Sequence, residues 1–577
     1  MNRISFQPVN MLIACLKVLL ALLIILAGIA IFPGLSASAA AITVDSTADT
    51  TIGGDNACTL REAIANANTD TDTTSGDCTD GNGTDTISFD PSVFQGTITL
   101  NGTELSISSD LTIDGPPSGI TLDGNAASRV FIINSGTVIL NNLIITNGNV
   151  TGSGGQSGGG IRNLGTLTIN KNRIENSNVT STDAGAFGGG IVNGSGAILV
   201  VSRSTISNNT VTGGGGSQSG GGGISNSGVT TLNNSTVSGN SAGGSSDNNN
   251  GGGIRNAGAS STFNINNSTI VNNATSGVMS SNGGGISNGG NMTLNNDIVA
   301  NNTASTQGPD CRGAVTAINN LIGNQTNCTI TGSGNLSGNP LLGPLEANGG
   351  GNITMLALTH YPLDTSPVLN SGNNATCLSI DQRGNPRPVG TCDMGAVEKQ
   401  TGEQTDQHCT WSSGVPHAFG TDVNITITPN TSDNPGCITV LKRPVFAGIT
   451  QDDGEFPSVW TLSAENSTYN LNLQFCYSDT ELATAGVSDE TSIVVFHLQS
   501  GIWQPLATAT NPVNNCVTVS NVTSLSPWTM VGNGNVPTAI ELQNLTAQAG
   551  NSTQSMVLVF AALLGLALGL ALLRLRK

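Results

Sequence analysis

The chain has 577 residues, long enough for several ordinary domains, with 76 glycines, 3% aromatic and 10% charged residues, and a formal charge of −19. Its glycines have no period of three, which excludes collagen, and its charge density is too low for a solvated disordered tail. The acidic balance disfavours nucleic acid as a partner and leaves cations and neutral glycans.

Residues 1–41 carry Arg3 and Lys17, an apolar run from Val18 to Phe32 and the small-residue stretch Ala37-Ser38-Ala39-Ala40-Ala41. This is the pattern of a secretory signal peptide, and the length of the run leaves an uncleaved signal anchor as the alternative. Leu12-Ile13-Ala14-Cys15 precedes the apolar run, whereas a lipoprotein box follows it, so lipidation of Cys15 is rejected. Residues 42–95 read as an N-terminal cap. Within them Leu60, Ala63, Ile64 and Ala67 recur at helical spacing next to Cys58. Asp70, Asp72, Asp77, Asp80 and Asp85 form an acidic patch without the spacing of an EF-hand, which reads as a solvated loop, with calcium binding as the alternative.

Residues 96–339 read as a solenoid. Five units open with Gly160-Ile161-Arg162-Asn163, Gly190-Ile191-Val192-Asn193, Gly223-Ile224-Ser225-Asn226, Gly253-Ile254-Arg255-Asn256 and Gly285-Ile286-Ser287-Asn288, at isoleucine spacings of 30, 33, 30 and 32. Each continues with an alternating segment and a third apolar site, which predicts three strands per coil. Thr97–Leu100, Leu111–Ile113, Ile120–Leu122, Val130–Ile133 and Leu143–Ile145 predict further coils upstream. No proline lies between Gly119 and Gly308, as stacked parallel strands require. The asparagine of each Gly-Ile-x-Asn motif sits two residues beyond an inward isoleucine and is expected to point inward in a ladder. Residues 151–306 hold 35 glycines and 28 asparagines, residues that tolerate the left-handed turns a coil needs.

Residues 340–398 form a further module. Residues 399–535 hold 11 of the 20 aromatics, and segments such as Asn470–Phe475 and Ser492–Phe496 alternate, which predicts a β-sandwich with tryptophan in its core. Residues 536–555 read as a stalk, 556–573 as a transmembrane helix and 574–577 as a basic cytoplasmic tail. No Leu-Pro-x-Thr-Gly sorting signal precedes that run. Without Cys15, ten cysteines remain, an even number that favours disulfides in an exported chain. Proximity alone suggests Cys58 with Cys78, Cys311 with Cys328, Cys377 with Cys392, Cys409 with Cys437, and Cys476 with Cys516.

Cys58-Thr59-Leu60-Arg61-Glu62-Ala63-Ile64, with Thr84-Asp85-Thr86-Ile87 and Leu111-Thr112-Ile113-Asp114-Gly115, resembles the CSLREA module that precedes bacterial surface β-helices. The glycine-isoleucine units, several closed by segments such as Ile270-Val271-Asn272-Asn273, are similar to the GGAI and FxxN repeats of polymorphic outer-membrane proteins, with Ser177 departing from the pattern. Ser366 to Gly372, Asp381-Gln382-Arg383-Gly384, Arg387-Pro388 and Cys392 to Glu398 resemble the choice-of-anchor Q domain, with Asn370 where that family has aspartate. The resemblance covers roughly residues 42–398. It implies a pectin-lyase-like right-handed β-helix on a bacterial surface and no particular activity.

The expected fold class is therefore all-β: a right-handed parallel β-helix, a C-terminal β-sandwich and one C-terminal transmembrane helix. Between residues 151 and 306 the acids are Glu175, Asp183, Asp247 and Asp297 and the bases Arg162, Lys171, Arg173, Arg203 and Arg255, with no obvious catalytic pair. No catalytic, metal or cofactor residue is assigned. Arg162 and Arg255 occupy equivalent outward positions three coils apart and are the glycan-contact candidates. Asp381, Arg383, Arg387, Asp393 and Glu398 read as a structural ion-pair network. The expected function is extracellular adhesion or glycan contact from a membrane-anchored chain; a polysaccharide lyase or hydrolase and an inert spacer are the alternatives.

Overall fold

The glycine-isoleucine units stack as coils of a parallel β-solenoid, because each inward isoleucine lies beside its equivalent in the next coil. Ile161, Ile191, Ile224, Ile254 and Ile286 form one such column in register. The computed structural model describes residues 40–535 except Gln95, 216–217, 246–247, 278–279, 350–355, 357, 421, 431–433, 445–454, 500–501, 526 and 534. Residues 1–39 of the expected signal peptide 1–41, and the expected stalk, transmembrane segment and tail over 536–577, lie outside the described residues.

Each full coil has five strands, where the periodicity predicts three. The coil that starts at Ile254 contains Ile254–Asn256, Thr262–Asn266, Thr269–Val271, Ala274–Thr275 and Ser280–Asn282. The first three build three faces of the solenoid around a core of isoleucine, leucine, valine and phenylalanine. The third face is a nine-stranded sheet from Thr97–Thr99 to Leu321–Ile322. The last two strands of each coil stack into a six-stranded and a five-stranded sheet, which form a projecting arm. Their sequences are mostly serine, threonine, asparagine and glycine with little apolar alternation, so periodicity did not reveal them. Only Val179, Ala186, Val211 and Ala242 form an apolar cluster there.

Buried amides link the coils. Asn163 Nδ2 donates to Asn193 Oδ1 at 2.8 Å, Asn193 to Asn226 at 2.9 Å, Asn226 to Asn256 at 2.8 Å and Asn256 to Asn288 at 2.8 Å. The same amides donate to turn carbonyls such as Gly165 O and Gly228 O, so the expected inward ladder is present. A second column runs Asn209, Asn240, Asn273 and Asn302 with amide contacts of 2.9 Å, and ends on Asp310. At a third corner the side-chain oxygens of Ser204, Ser235, Ser268 and Asp297 each accept the backbone N–H of the coil before.

Helix α1 (Leu60–Thr69) lies over the first coils, started by a capping box between Thr59 and Glu62. Cys58–Cys78 pins it, and Arg61 pairs with Asp49 at 2.7 Å. At the other end Cys311–Cys328 staples the last coils. The C-terminal region is a sandwich of a six-stranded and a five-stranded antiparallel sheet. Trp460 and Trp528 are fully buried in it, as expected for core tryptophan, while Trp411 is only partly covered. All five cysteine pairs suggested by proximity are disulfides.

One part of the expected fold class is corrected. Among the described residues no helix is long and apolar enough to cross a membrane. The two α-helices, α1 and α2 (Asp479–Ala485), have 10 and 7 residues. At 1.5 Å per residue they are far shorter than the roughly 30 Å of a hydrocarbon core. The expected transmembrane segment 556–573 lies outside the described residues, so the fold stands as a solenoid with a sandwich, and the membrane-anchored localisation is withdrawn.

Replacing one rung of the amide ladder strands the neighbouring amides and carbonyls. Asn226→Ala is expected to cost about 1–3 kcal/mol in chemical denaturation, and an unchanged midpoint would show that the ladder is dispensable.

Candidate functional site

The chain itself covers one face of the solenoid. Residues 358–398 run as a strap over the third face. Gln382 Nε2 donates to Ser204 O at 3.2 Å and Thr205 Oγ1 at 3.0 Å, while Thr236 Oγ1 donates to Gln382 Oε1 at 2.6 Å. His360 Nε2 meets Ser238 Oγ at 2.9 Å, and Ala396 N donates to Thr269 Oγ1 at 3.0 Å.

The strap also reads the corner between the second and third faces coil by coil. Arg203, Asn234, Asn267 and Asn296 occupy that corner in successive coils with left-handed φ of 51°, 45°, 47° and 57°. They bind Gln382 O, Arg387 Nη1, Leu378 N and Asn373 N, respectively.

Within the strap lies the expected ion-pair network, enlarged by two residues, Tyr361 and Glu403. Arg383 Nε donates to Asp381 at 2.8 Å and Nη1 to Glu403 at 2.9 Å, with all three side chains fully buried. Tyr361 Oη donates to Glu403 at 2.6 Å. Arg387 Nε donates to Glu398 at 3.2 Å, and Asp393 accepts from Asn370 N and Lys399 N. Burial opposes charge on Arg383, but the carboxylates of Asp381 and Glu403 outweigh it and raise its pKa. Burial likewise works against the Glu403 carboxylate, and Arg383 outweighs it and holds the pKa below its ordinary value. Glu403 and Tyr361 lie outside the quoted motifs, so sequence spacing did not connect them. Tyr361 and Val397 also pack on Leu441 and join the strap to the sandwich. Asn370 has φ of 52°, a conformation asparagine tolerates as aspartate does.

The acids of the solenoid do not converge. Glu175 pairs with Arg173 at 2.9 Å, Asp183 accepts from Gly154 N, Asp297 is buried in the third polar column, and Asp247 lies outside the described residues. In the cap, Asp77 accepts from the backbone of Gly54, Asp55 and Asn56, Asp72 from Thr74, Asp70 from Gly83, and Asp85 from Ala40 and Asn82. These carboxylates bind backbone at separate points. Among the described residues the one group with metal-ligand spacing is Cys377, Cys392 and Glu398, and its two cysteines are bonded to each other.

Arg162 and Arg255 lie at the corner between the outer arm sheet and the first face. The first glycine of each triplet turns the chain through this corner. Gly158, Gly188, Gly221, Gly251 and Gly283 all have left-handed φ, and a Cβ at any of them would strike the carbonyl of the isoleucine three residues on. Gly308 makes the same turn before Cys311. The outward column on the first face is Ile132, Arg162, Val192, Ser225, Arg255, Ser287 and Arg312, in register. Facing it on the arm are Ser157, Phe187, Gly220, Asn250 and Asn282.

Arg255 spans the corner. Its Nη2 donates to Gln218 Oε1 at 3.2 Å, and its guanidinium lies 4.8 Å from the centroid of the Phe187 ring. Arg129 closes the N-terminal end, donating to Gly158 O at 2.7 Å and Ser157 O at 2.8 Å and pairing with Glu104 at 3.5 Å. Sequence reasoning placed Arg162 and Arg255 in one column but missed Arg312 and Phe187. Arg312 is hidden because its coil has Cys311 where the others have isoleucine; Gly308, three residues before Cys311, is the surviving signal.

No protein-family model and no curated protein matches the chain.

Two measurements follow. Arg383→Met leaves Asp381 and Glu403 buried without their cation and is expected to cost about 3–5 kcal/mol in denaturant unfolding. Burial lowers the pKa of His360 to about 4. With a folded pKa below that of the unfolded chain, its contribution to stability is present above about pH 6.5 and is lost as pH falls towards about 4. His360→Gln should therefore lose less thermal stability than the parent between neutral and acid pH; parallel loss in both would refute this assignment. Asp393, which burial raises to about 6, acts with the opposite sign in both proteins and cancels in the comparison.

Proposed function

We propose that the protein is an extracellular contact protein whose solenoid presents its first face to glycans without catalysis. The observation that carries this reading is the inequality of the third and first faces. The third face is covered by the strap with hydrogen bonds in successive coils, whereas the outward column of the first face carries Arg162, Arg255 and Arg312 beside amide, hydroxyl and aromatic groups. Such a mixture suits hydroxyl-rich ligands, which amides and arginines bind and aromatic faces stack on. The five disulfides suit an oxidising compartment, and the likeness of the cap, repeats and strap to CSLREA and choice-of-anchor Q surface proteins supports the same setting. Neither this column nor the arm column facing it carries a carboxylate to serve as general acid or nucleophile.

The test is to incubate the purified protein with a polysaccharide panel that includes polygalacturonate and alginate. Retention on at least one glycan with no new unsaturated or reducing ends is expected. Release of such ends would make the protein a lyase or hydrolase, and failure to bind any glycan would leave a spacer.

A further inference from the structure

We infer that the arginine column of the first face is a track for an extended anionic polysaccharide. This rests on the glycan-contact reading and names its ligand class. The protein as a whole is acidic, at −19, yet its cations are sorted by location. Arg61, Arg129, Arg173, Arg383 and Arg387 each have a carboxylate within ion-pair distance. Arg203 and Arg443 feel the fields of Asp381 and Glu403, respectively. Among the described residues, the arginines with no carboxylate partner are Arg162, Arg255 and Arg312, and all three stand in one outward column.

The spacing within the column matters as much as the charge. With coils about 4.8 Å apart, Arg162 and Arg255 are about 14 Å apart, and Arg255 and Arg312 about 10 Å. Each separation is a whole number of coils, so the cations lie on a line parallel to the solenoid axis. Val192, Ser225 and Ser287, which stand between them, carry no charge. Arg255 is held by Gln218 and by the Phe187 ring, so less of its conformational freedom remains to be lost when an anion binds.

Net charge does not oppose this. At physiological salt, fields decay over about 8 Å, so a bound anion senses the nearest cations and little of the distant acidic surface. A small anion would need only one arginine, whereas three in a row on a straight wall fit a linear polymer with repeated carboxylate or sulfate groups. Nucleic acid also repeats its charge, but among the described residues of the two columns the one aromatic ring is Phe187, whose face is already taken by Arg255, which leaves no platform for stacked bases.

The experiment measures binding of the full chain to polygalacturonate, heparin, a neutral glucan and single-stranded DNA. The variants are Arg162→Ala/Arg255→Ala/Arg312→Ala and the corresponding triple lysine variant. Polyanion affinity should fall about tenfold or more in the triple alanine variant, recover in part with lysine, and weaken steeply with added salt in the parent. Thermal midpoints are compared first. If the Arg255 change lowers the midpoint, the Arg162→Ala/Arg312→Ala double variant, which leaves the Phe187 contact intact, carries the test. Polyanion binding that ignores salt or the alanine changes would overturn the inference, as would tighter binding to DNA than to either polysaccharide. Binding to the neutral glucan alone would overturn it and leave the glycan-contact reading in place. Binding to none of the glycans would remove both.

Discussion

A buried side-chain amide must satisfy two donors and an acceptor, and in this protein each finds its main partner one coil away. That requirement organises the solenoid. An asparagine facing inward alone would carry a desolvation penalty, but the same residue repeated at strand spacing lets each amide donate to the next and accept from the one before. Asn163 through Asn288 and Asn209 through Asn302 are two such columns, and the serine column at the third corner does the same with backbone N–H groups. The coil can therefore turn sharply on polar residues and still exclude water, which explains a β-protein with so few aromatic and charged residues. Where the second column ends, Asp310 accepts what a further asparagine would have accepted.

The arm depends on these columns. Between the third face and the arm the chain turns at Asn209 and its equivalents, and back onto the first face it turns through the glycine triplets. The two faces that flank the arm are chemically unlike. The third face offers hydroxyls and, at its far edge, corner asparagines, which the strap binds, whereas the first face offers arginines.

Much of the architecture was legible in the sequence. The isoleucine period, the inward asparagine and the five cysteine pairs all stand in the structure as the spacing implied. The arm was not, because Ala274–Thr275 and Ser280–Asn282 are strands held by their neighbours' backbone and have almost no apolar pattern of their own. The site was legible in part. Register made Arg162 and Arg255 equivalent, but Arg312 follows a cysteine, and Phe187 acts from a different sheet. Glu403 illustrates a second limit: it completes the Arg383 pair from outside the motif that contains Arg383, a contact set by three-dimensional packing.

The strap has a consequence for how this molecule can change. Solenoids usually lengthen or shorten by whole repeats, because each coil touches only its neighbours. Here Arg203, Asn234, Asn267 and Asn296 are matched one by one to positions along a single continuous segment. Gaining or losing a coil within that span would put every later contact out of step, so the strap works as a ruler that holds the number of coils constant beneath it. Growth is left to the N-terminal coils it does not cover.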